Sequence, residues 1–399
     1  RRALGHPAIV LIVAALVLAG GIGLYRFAGS DFLPGFDEGA FVLDYLAPPG
    51  SSLEETDRIL RRVESILTET PEVESYSRRT GAELGLFVTE PNTGDFLVKL
   101  KADRSRTTEE VKSEIREQIA EEFPADVLEV ELPGILVDLI NDLISSSQPI
   151  EIKVFSDDAD ALRAKAEEIQ EVLDAIPGVV DTNSGVVVSG PAITLQVDPM
   201  RAAAVGVTAA DVADAAETAL AGRVASSILE RGRLVDIRVL VTPEASRSVE
   251  ALRALPIRSA ASGATFRLEQ VADVRFDPGQ TELHRENLRE SVVVTAATEN
   301  LDLGTAIARI RKAINEKVVL PPRMTVEYGG IYEEQQAAFR SLAASLALAV
   351  VLVFLVLLVE FRSFAAPTAI VVGSVLALPG VLAGIVLTGL TLNVVSFMG

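Results

Sequence analysis

The chain has 399 residues, of which 49% are hydrophobic and 23% are charged. This balance is too apolar for an ordinary soluble domain and too charged for a bundle of membrane helices, so we expect part of the chain to lie in lipid and part in water. The absence of cysteine excludes disulfides and thiolate chemistry, and the net charge of −20 disfavours nucleic acid, whose phosphates would be repelled.

Segments almost free of charge lie at both ends of the chain. Their composition predicts transmembrane helices at residues 1–27, 338–362 and 363–390. It also predicts the start of a further, truncated helix at residues 391–399. A cleaved signal peptide is the alternative for the first segment, although its apolar region would be shorter. The sequence therefore predicts a polar block between membrane helices.

This polar block is strongly acidic. Every Asp and Glu except Glu360 lies in residues 28–337. The connection at 360–362 is so short that the two helices beside it must form an antiparallel hairpin, so the block would leave and re-enter the membrane on one face. Arg1, Arg2 and Arg362 would then mark the cytoplasmic side, against Arg26 and Arg340 on the other side. We predict that the block folds outside the cytoplasm.

The first part of the block, residues 40–132, follows a linker at 28–39 and has the pattern of a βαββαβ unit. A strand is followed by apolar residues at helical spacing, which begin at Leu53 and stop before Pro71. Two strands, an amphipathic helix near 107–122 and a last strand follow. This order is typical of a ferredoxin-like fold.

A second unit of the same kind follows a linker at 133–149. Its first part covers residues 150–205 and its second part covers 286–337, so we interpret residues 206–285 as an insertion. A proline ends the first helix in both units, which supports an internal repeat. Two unrelated α+β domains are the alternative.

The sequence contains no recognisable catalytic constellation. The two histidines, His6 and His284, do not support a Ser/His/Asp triad or a two-histidine metal site, and nothing resembles a Walker loop. The three methionines, Met200, Met324 and Met398, are scattered, so a soft-cation site would require the fold to bring them together. We predict no enzyme activity, no catalytic residue, no cofactor and no metal site.

A series of short motifs runs along the whole chain in a particular order, and each motif alone is weak. The motifs are Phe32-Leu-Pro-Gly-Phe-Asp-Glu-Gly39, Pro49-Gly-Ser-Ser-Leu-Glu-Glu-Thr56, Pro71-Glu-Val73, Arg79-Thr-Gly-Ala-Glu83, Thr89-Glu-Pro91, Asp236-Ile-Arg-Val239, Val271-Ala-Asp-Val274, Arg285-Glu-Asn287, Tyr328-Gly-Gly330 and Glu333-Glu-Gln-Gln336. Together they resemble the second half of resistance-nodulation-division (RND) efflux permeases, and within that family most closely the heavy-metal exporters.

The resemblance implies a fold class and an assembly. The fold would be an α+β membrane protein in which transmembrane helices carry ferredoxin-like βαββ porter subdomains with an inserted docking subdomain. Residues 1–27 would be the family's seventh helix. Such permeases are secondary active transporters of the bacterial inner membrane with a large periplasmic domain. They work as proton-driven homotrimers with a periplasmic adaptor protein and an outer-membrane channel, and their proton relay lies on the fourth and tenth helices.

The resemblance also implies that substrate passes through the cleft between the porter subdomains. Candidates for lining this cleft are Arg79, Glu83 and Glu90. The periplasmic methionines of soft-metal exporters have no counterpart at residues 133–144, so metal, drug and lipid stay open as substrates. Two alternatives remain, a lipid or protein-translocation relative of the same superfamily and a membrane-anchored periplasmic scaffold without transport.

Overall fold

The structure is a computed structural model that describes residues 7–82, 89–124, 127–144, 148–187, 190–242, 248–259, 261–277, 282 and 284–398. It contains two compact units. The larger unit comprises Arg1–Val187 and Thr281–Gly399, and the smaller unit comprises Val188–Gln280. The smaller unit is therefore inserted, in sequence, into the larger one.

Helices and strands alternate along most of the described chain. The helices are α1 (Pro7–Tyr25), α2 (Leu53–Glu69), α3 (Thr108–Glu122), α4 (Ile135–Ile144), α5 (Ala159–Asp174), α6 (Pro199–Val205), α7 (Ala209–Leu220), α8 (Val249–Arg253), α9 (Leu268–Val271), α10 (Leu303–Lys317), α11 (Ile331–Phe361), α12 (Ala365–Val375), α13 (Leu378–Thr388) and α14 (Val394–Met398). The strands are β1 (Ala40–Leu46), β2 (Val73–Thr80), β3 (Thr93–Leu100), β4 (Glu129–Glu131), β5 (Ile150–Phe155), β6 (Val179–Asn183), β7 (Ala192–Val197), β8 (Arg223–Glu230), β9 (Arg233–Val239), β10 (Pro256–Arg258), β11 (Thr265–Arg267), β12 (Ala272–Asp277), β13 (His284–Glu286), β14 (Arg289–Thr298) and β15 (Thr325–Gly329).

Lobe 1, residues 40–132, is a four-stranded antiparallel sheet in the order β2-β3-β1-β4 that packs against α2 and α3. Helix α2 begins where the Ser52 side chain accepts a hydrogen bond from the Glu55 backbone N–H, as N-cap residues do. The apolar face of α2 is buried against the sheet, with Phe41 and Phe96 at the centre of the core. The lobe has the βαββαβ order expected from its sequence.

Lobe 2 is formed by residues 150–187 and 284–329. Its five-stranded sheet has the order β13-β14-β5-β15, and β6 pairs with β14. Helices α5 and α10 cover the buried face, and their apolar residues join those of the central strands in one core. The two halves of lobe 2 come from either side of the inserted unit, because residues 291–296 of β14 pair with β5.

The inserted unit has its own core, in which Ile257, Leu268 and Val271 are fully buried. Strands β7 and β12 pair antiparallel from Ala192 opposite Asp277 to Val197 opposite Ala272. The insertion therefore begins earlier than the predicted 206–285, because β7, which the sequence assigned to the second α/β unit, pairs within the inserted unit instead.

A β-hairpin in the inserted unit lacks a core of its own. Strands β8 and β9 pair only with each other, and every residue of both strands is exposed. The exposed residues include several large apolar side chains: Val224, Ile228, Leu229, Leu234, Val235, Ile237 and Val239. An isolated two-stranded hairpin of this kind is marginally stable in water.

Two segments of the described chain are helical, long and apolar enough to cross a membrane: Ile331–Phe361 and Ala365–Thr388. A shorter apolar helical segment is Ile12–Tyr25 within α1. The segment that the sequence predicts as one span at 363–390 consists of α12 and α13, and Pro379 lies in the first turn of α13. Residues in these helices expose their apolar side chains, as expected for surfaces that face lipid.

Candidate functional site: a cleft between two lobes

A cleft of about 410 Å³ lies where lobe 1 and lobe 2 meet. Helix α3 and the segment around α4 form one side, and β6 with the segment after β14 forms the other. The chain that follows α1 contributes the remaining wall. The lining residues are Asp31, Phe32, Leu33, Pro34, Gly35, Phe36, Glu38, Glu109, Lys112, Arg116, Leu132, Pro133, Gly134, Leu136, Val137, Ile140, Gln148, Pro149, Val180, Asp181, Ala297, Thr298, Asn300, Leu301, Leu303 and Ile331.

Most of the wall is apolar. The segment predicted as a linker at 133–149 contains α4, and Val137 and Ile140 of this helix pack against the core of lobe 2. Phe32 and Leu301 pack against the same core from other directions. An apolar wall with a few convergent polar groups is the usual character of a small-molecule site.

The polar centre of the cleft is an ion-pair cluster around Arg116. The guanidinium donates to both carboxylate oxygens of Asp181, at 2.7 and 3.1 Å, and to Glu299 at 2.9 Å. Asp181 also accepts a hydrogen bond from the Leu132 backbone N–H at 3.1 Å. Burial acts to lower the pKa of Arg116, but the bonds and charges of Asp181 and Glu299 outweigh it and raise the pKa. Arg116 is therefore a permanent cation held between two carboxylates.

Two further charged groups lie along the same wall. Lys112, one turn before Arg116 on α3, is buried and donates to Glu109 at 2.8 and 3.1 Å. Glu38 accepts a hydrogen bond from the Leu136 backbone N–H at 3.0 Å. Acidic groups outnumber basic groups among the lining residues, so the cleft is acidic.

Asp31 lies at the end of the cleft nearest the apolar helices. Its carboxylate accepts a hydrogen bond from the Leu303 backbone N–H at 2.8 Å, at the start of α10. Burial raises the pKa of Asp31, and the nearby Asp302 raises it further, whereas the Leu303 and Thr391 hydrogen bonds lower it. Asp31 also lines a second cavity of about 430 Å³, next to Thr391 and the end of α13.

The structure describes two of the three residues that were proposed from sequence as cleft candidates. Arg79 lies on β2 and donates to both oxygens of Asp95, at 2.6 and 2.8 Å, and it does not line the cleft described above. Glu90 is exposed in the turn before β3. Glu83 lies outside the described residues. Their role in contacting substrate stays a prediction.

The sequence reasoning missed Arg116 and Asp181. They are 65 positions apart, so no local motif connects them. The only signal in the sequence is indirect: Asp181 follows the apolar pair Val179-Val180 after the proline stop. In the structure Asp181 is the middle residue of β6, and nothing in the sequence indicates its partner.

Among the described residues, no group of three or more His, Cys, Asp or Glu side chains could hold a metal ion. Met324 is buried in the core of lobe 2, whereas Met200 in the inserted unit is 81% exposed. His284 is exposed and lies 3.5 Å from Glu282. The described structure therefore offers no preformed soft-cation site built on these residues.

Comparison with known proteins gives a consistent family likeness. The family model described as the AcrB/AcrD/AcrF family matches residues 1–399. The cobalt-zinc-cadmium resistance protein CzcA of Cupriavidus metallidurans is 30% identical over all of this chain, which covers 38% of CzcA. The cation efflux system protein CusA of Escherichia coli is 26% identical over 90% of this chain and 35% of its own length.

The fold is similar to that of a solved heavy metal efflux pump. A crystal structure of a heavy metal efflux pump superposes with a TM-score of 0.84 at 28% identity, covering 99% of this chain and 41% of the pump. The chain thus spans well under half the length of the relatives and of the solved structure that it matches. The likeness extends over lobes, insertion and apolar helices together.

Proposed function

Because the chain belongs to the resistance-nodulation-division efflux permease family, we propose that it is part of a proton-driven exporter of the bacterial inner membrane. In this proposal the two lobes are porter subdomains, and the cleft between them receives substrate from the periplasm or the outer leaflet. Alternating access to the cleft would be coupled to proton movement through the membrane helices. Export, and not enzymatic chemistry, is the activity that the cleft serves.

The observation that carries this proposal is the cleft itself. It lies between two independently packed cores, so the lobes can move as bodies without breaking either core. Its mostly apolar wall and its charged centre can bind a molecule without reacting with it, because its described lining residues include no nucleophile with an adjacent base. A passage between movable bodies is what alternating access requires.

The order of the helices and the charge of the polar block favour one orientation in the membrane. The acidic block lies between α1 and the helical pair formed by α11 with α12 and α13, and a turn of three residues separates α11 from α12. Positively charged residues favour the cytoplasmic side. We infer that both lobes and the inserted unit fold in the periplasm.

Assembly with other chains is part of the proposal. The hairpin of β8 and β9 exposes apolar residues on a two-stranded ribbon, and such a ribbon gains stability when it is covered. We infer that the inserted unit is a docking subdomain. Its partners would be other protomers of a homotrimer, a periplasmic adaptor protein and an outer-membrane channel.

For the substrate, the cleft favours an organic molecule with an apolar body and a cationic group. The apolar wall would cover the body, and the acidic surplus of the lining residues would attract the cation. A divalent metal cation is the second candidate, because the relatives in the comparison are a cobalt-zinc-cadmium resistance protein and a cation efflux system protein.

Reconstitution of the purified full-length protein into liposomes tests the proposal. In one set of liposomes, an imposed proton gradient should drive the transport of a cationic dye across the membrane. In a parallel set, a metal indicator measures gradient-driven transport of Zn²⁺ or Co²⁺. Gradient-dependent movement of either cargo supports export, and the arm that responds identifies the substrate class. Gradient-independent leakage equal to that of empty liposomes in both arms would contradict the proposal.

A further inference from the structure

The two lobes are connected across the cleft by a small set of polar contacts. Arg116 on α3 of lobe 1 binds Asp181 on β6 and Glu299 after β14, both in lobe 2. A second contact joins Asn183 of lobe 2 to Glu129 of lobe 1, at 2.8 Å. The Arg116 cluster is the more buried of the two connections.

The backbone of lobe 2 is distorted where it presents Asp181. Asn183 pairs with Thr295 and Val180 with Ala297, so β6 has one residue more than β14 over this stretch. Asp181 lies in this bulge with a φ of 49°, in the left-handed region that an aspartate tolerates better than most residues. A bulge re-aims a side chain. Here it directs a carboxylate towards lobe 1 instead of along the sheet.

The cluster is stable only while the lobes touch. The side chain of Asp181 is 3% exposed, that of Arg116 is 19% exposed and that of Glu299 is 18% exposed. Removing one partner of such a buried group leaves an uncompensated charge in a poorly solvated place, which is strongly unfavourable. Separation of the lobes would instead give all three groups to water. The ion pairs therefore favour contact between the lobes, and water can solvate the same groups once the lobes separate.

The geometry also requires arginine. The planar guanidinium reaches two oxygens of Asp181 and one of Glu299 at the same time, which the single ammonium of lysine cannot reproduce. Lys112, one turn away on the same helix face, binds Glu109 within its own lobe. Position 116 thus differs in function from its lysine neighbour: it bridges the lobes.

We propose that Arg116, Asp181 and Glu299 form a latch that holds lobe 1 against lobe 2, and that the cleft widens only when this latch opens. Arg116 is a positioning residue, since it acts through the distance between the lobes. The role of the latch in substrate entry rests on the proposed function, whereas the latch itself does not. The two can be tested separately.

The distance between the lobes tests the latch directly. These 399 residues contain no cysteine, so Ala120→Cys on α3 and Ala164→Cys on α5, both exposed, give a unique spin-label pair within this chain. The latch variant is R116M/D181N/E299Q, which removes all three charges and leaves no buried charge unpaired. Asparagine at 181 keeps an acceptor for Leu132 and tolerates the positive φ. The matched control is R62M, which breaks the exposed Arg62–Glu122 pair within lobe 1.

We expect the distance distribution of the triple variant to shift to longer values and to broaden, with R116K between it and the parent and R62M equal to the parent. An unshifted distribution in the triple variant would overturn the latch, whatever the protein transports. This arm needs no knowledge of the substrate.

A tether across the cleft tests the role of release. Glu129→Cys and Asn183→Cys, whose parent side chains touch, are joined by a thiol crosslinker cleavable by reductant. We expect crosslinking to abolish gradient-driven transport and reduction to restore it, while either single-cysteine protein keeps its activity. Undiminished transport by the crosslinked protein would overturn the requirement for opening, even if the latch variant lengthens the distance.

Discussion

The ion pair between Arg79 and Asp95 gives a sharp test of how charge is buried in lobe 1. Asp95 on β3 is fully buried, and Arg79 on the neighbouring β2 binds both of its oxygens and remains 27% exposed. Replacing Arg79 by methionine leaves the Asp95 carboxylate buried without its cationic partner. Breaking a buried pair in this way costs about 3 to 5 kcal/mol. Because Arg79 keeps some contact with water, we expect about 3 kcal/mol.

The two strands contain a matched control. Lys99 on β3 binds Glu74 on β2 at 2.9 Å, but both side chains are about half exposed or more. An exposed pair of this kind contributes below about 1 kcal/mol. K99M therefore changes the same two strands by a similar substitution, with a much smaller expected effect.

Hydrogen exchange followed by mass spectrometry measures the difference in the intact protein. For R79M we expect the amides of β2 and β3 to exchange roughly a hundredfold faster, since 1.4 kcal/mol is about a factor of ten. The double variant R79M/D95N should recover part of this loss, because the buried charge is gone. Equal exchange in R79M and K99M would refute the reasoning, and so would a double variant no more protected than R79M.

Three further predictions concern other parts of the chain. S52A should cost about 1 kcal/mol in the local stability of α2, measured by exchange of its first-turn amides, because the hydrogen bond to Glu55 is lost; unchanged exchange would contradict the cap. The pKa of Asp31 is raised in the folded protein, so ionisation of this carboxyl opposes folding. The local stability at the start of α10 should therefore increase as the pH falls from above the folded pKa to the ordinary pKa of an aspartate, and D31N should remove this pH dependence. If D31N kept the same pH dependence, another group would be its cause. Single cysteines at the exposed Ser65 and Ser262 should react with an impermeant maleimide in intact spheroplasts, and labelling only after lysis would reverse the proposed orientation.

The local structure of the lobes was predictable because its signals are local. The apolar residues of α2 recur at helical spacing with charges opposite, and α3 has a capping box between Thr107 and Glu110. These patterns depend on neighbours in sequence only. The βαββαβ order of lobe 1 could therefore be deduced from the sequence.

The boundary of the insertion could not be predicted in the same way. Strand β7 alternates like any strand, and its partner β12 lies about 80 positions later, in the segment Ala272–Asp277. Nothing in β7 itself distinguishes pairing with β12 from pairing with lobe 2. Helix α4 could not be placed from the sequence for the same reason. Its Val137 and Ile140 pack against the core of lobe 2, which is formed by residues distant in the sequence.

The polar centre of the cleft depends on contacts between residues that lie far apart in the sequence. Arg116 and Glu299 are separated by 183 positions, and the bulge that aims Asp181 arises from the register between β6 and β14. By contrast, the partner of Arg79 was within reach of sequence reasoning. Asp95 stands directly before the apolar residues Phe96, Leu97 and Val98 of β3, and a buried aspartate needs a cation.

The central claim is that substrate passes through the cleft between lobe 1 and lobe 2. The most direct measurement is gradient-driven transport by the reconstituted V137C protein before and after reaction with a bulky maleimide, since Val137 lines the cleft. S77C, on the exposed side of β2, is the control for modification outside the cleft. The account predicts that labelled V137C loses transport, that substrate slows its labelling, and that labelled S77C transports normally. Full transport by completely labelled V137C would contradict the account.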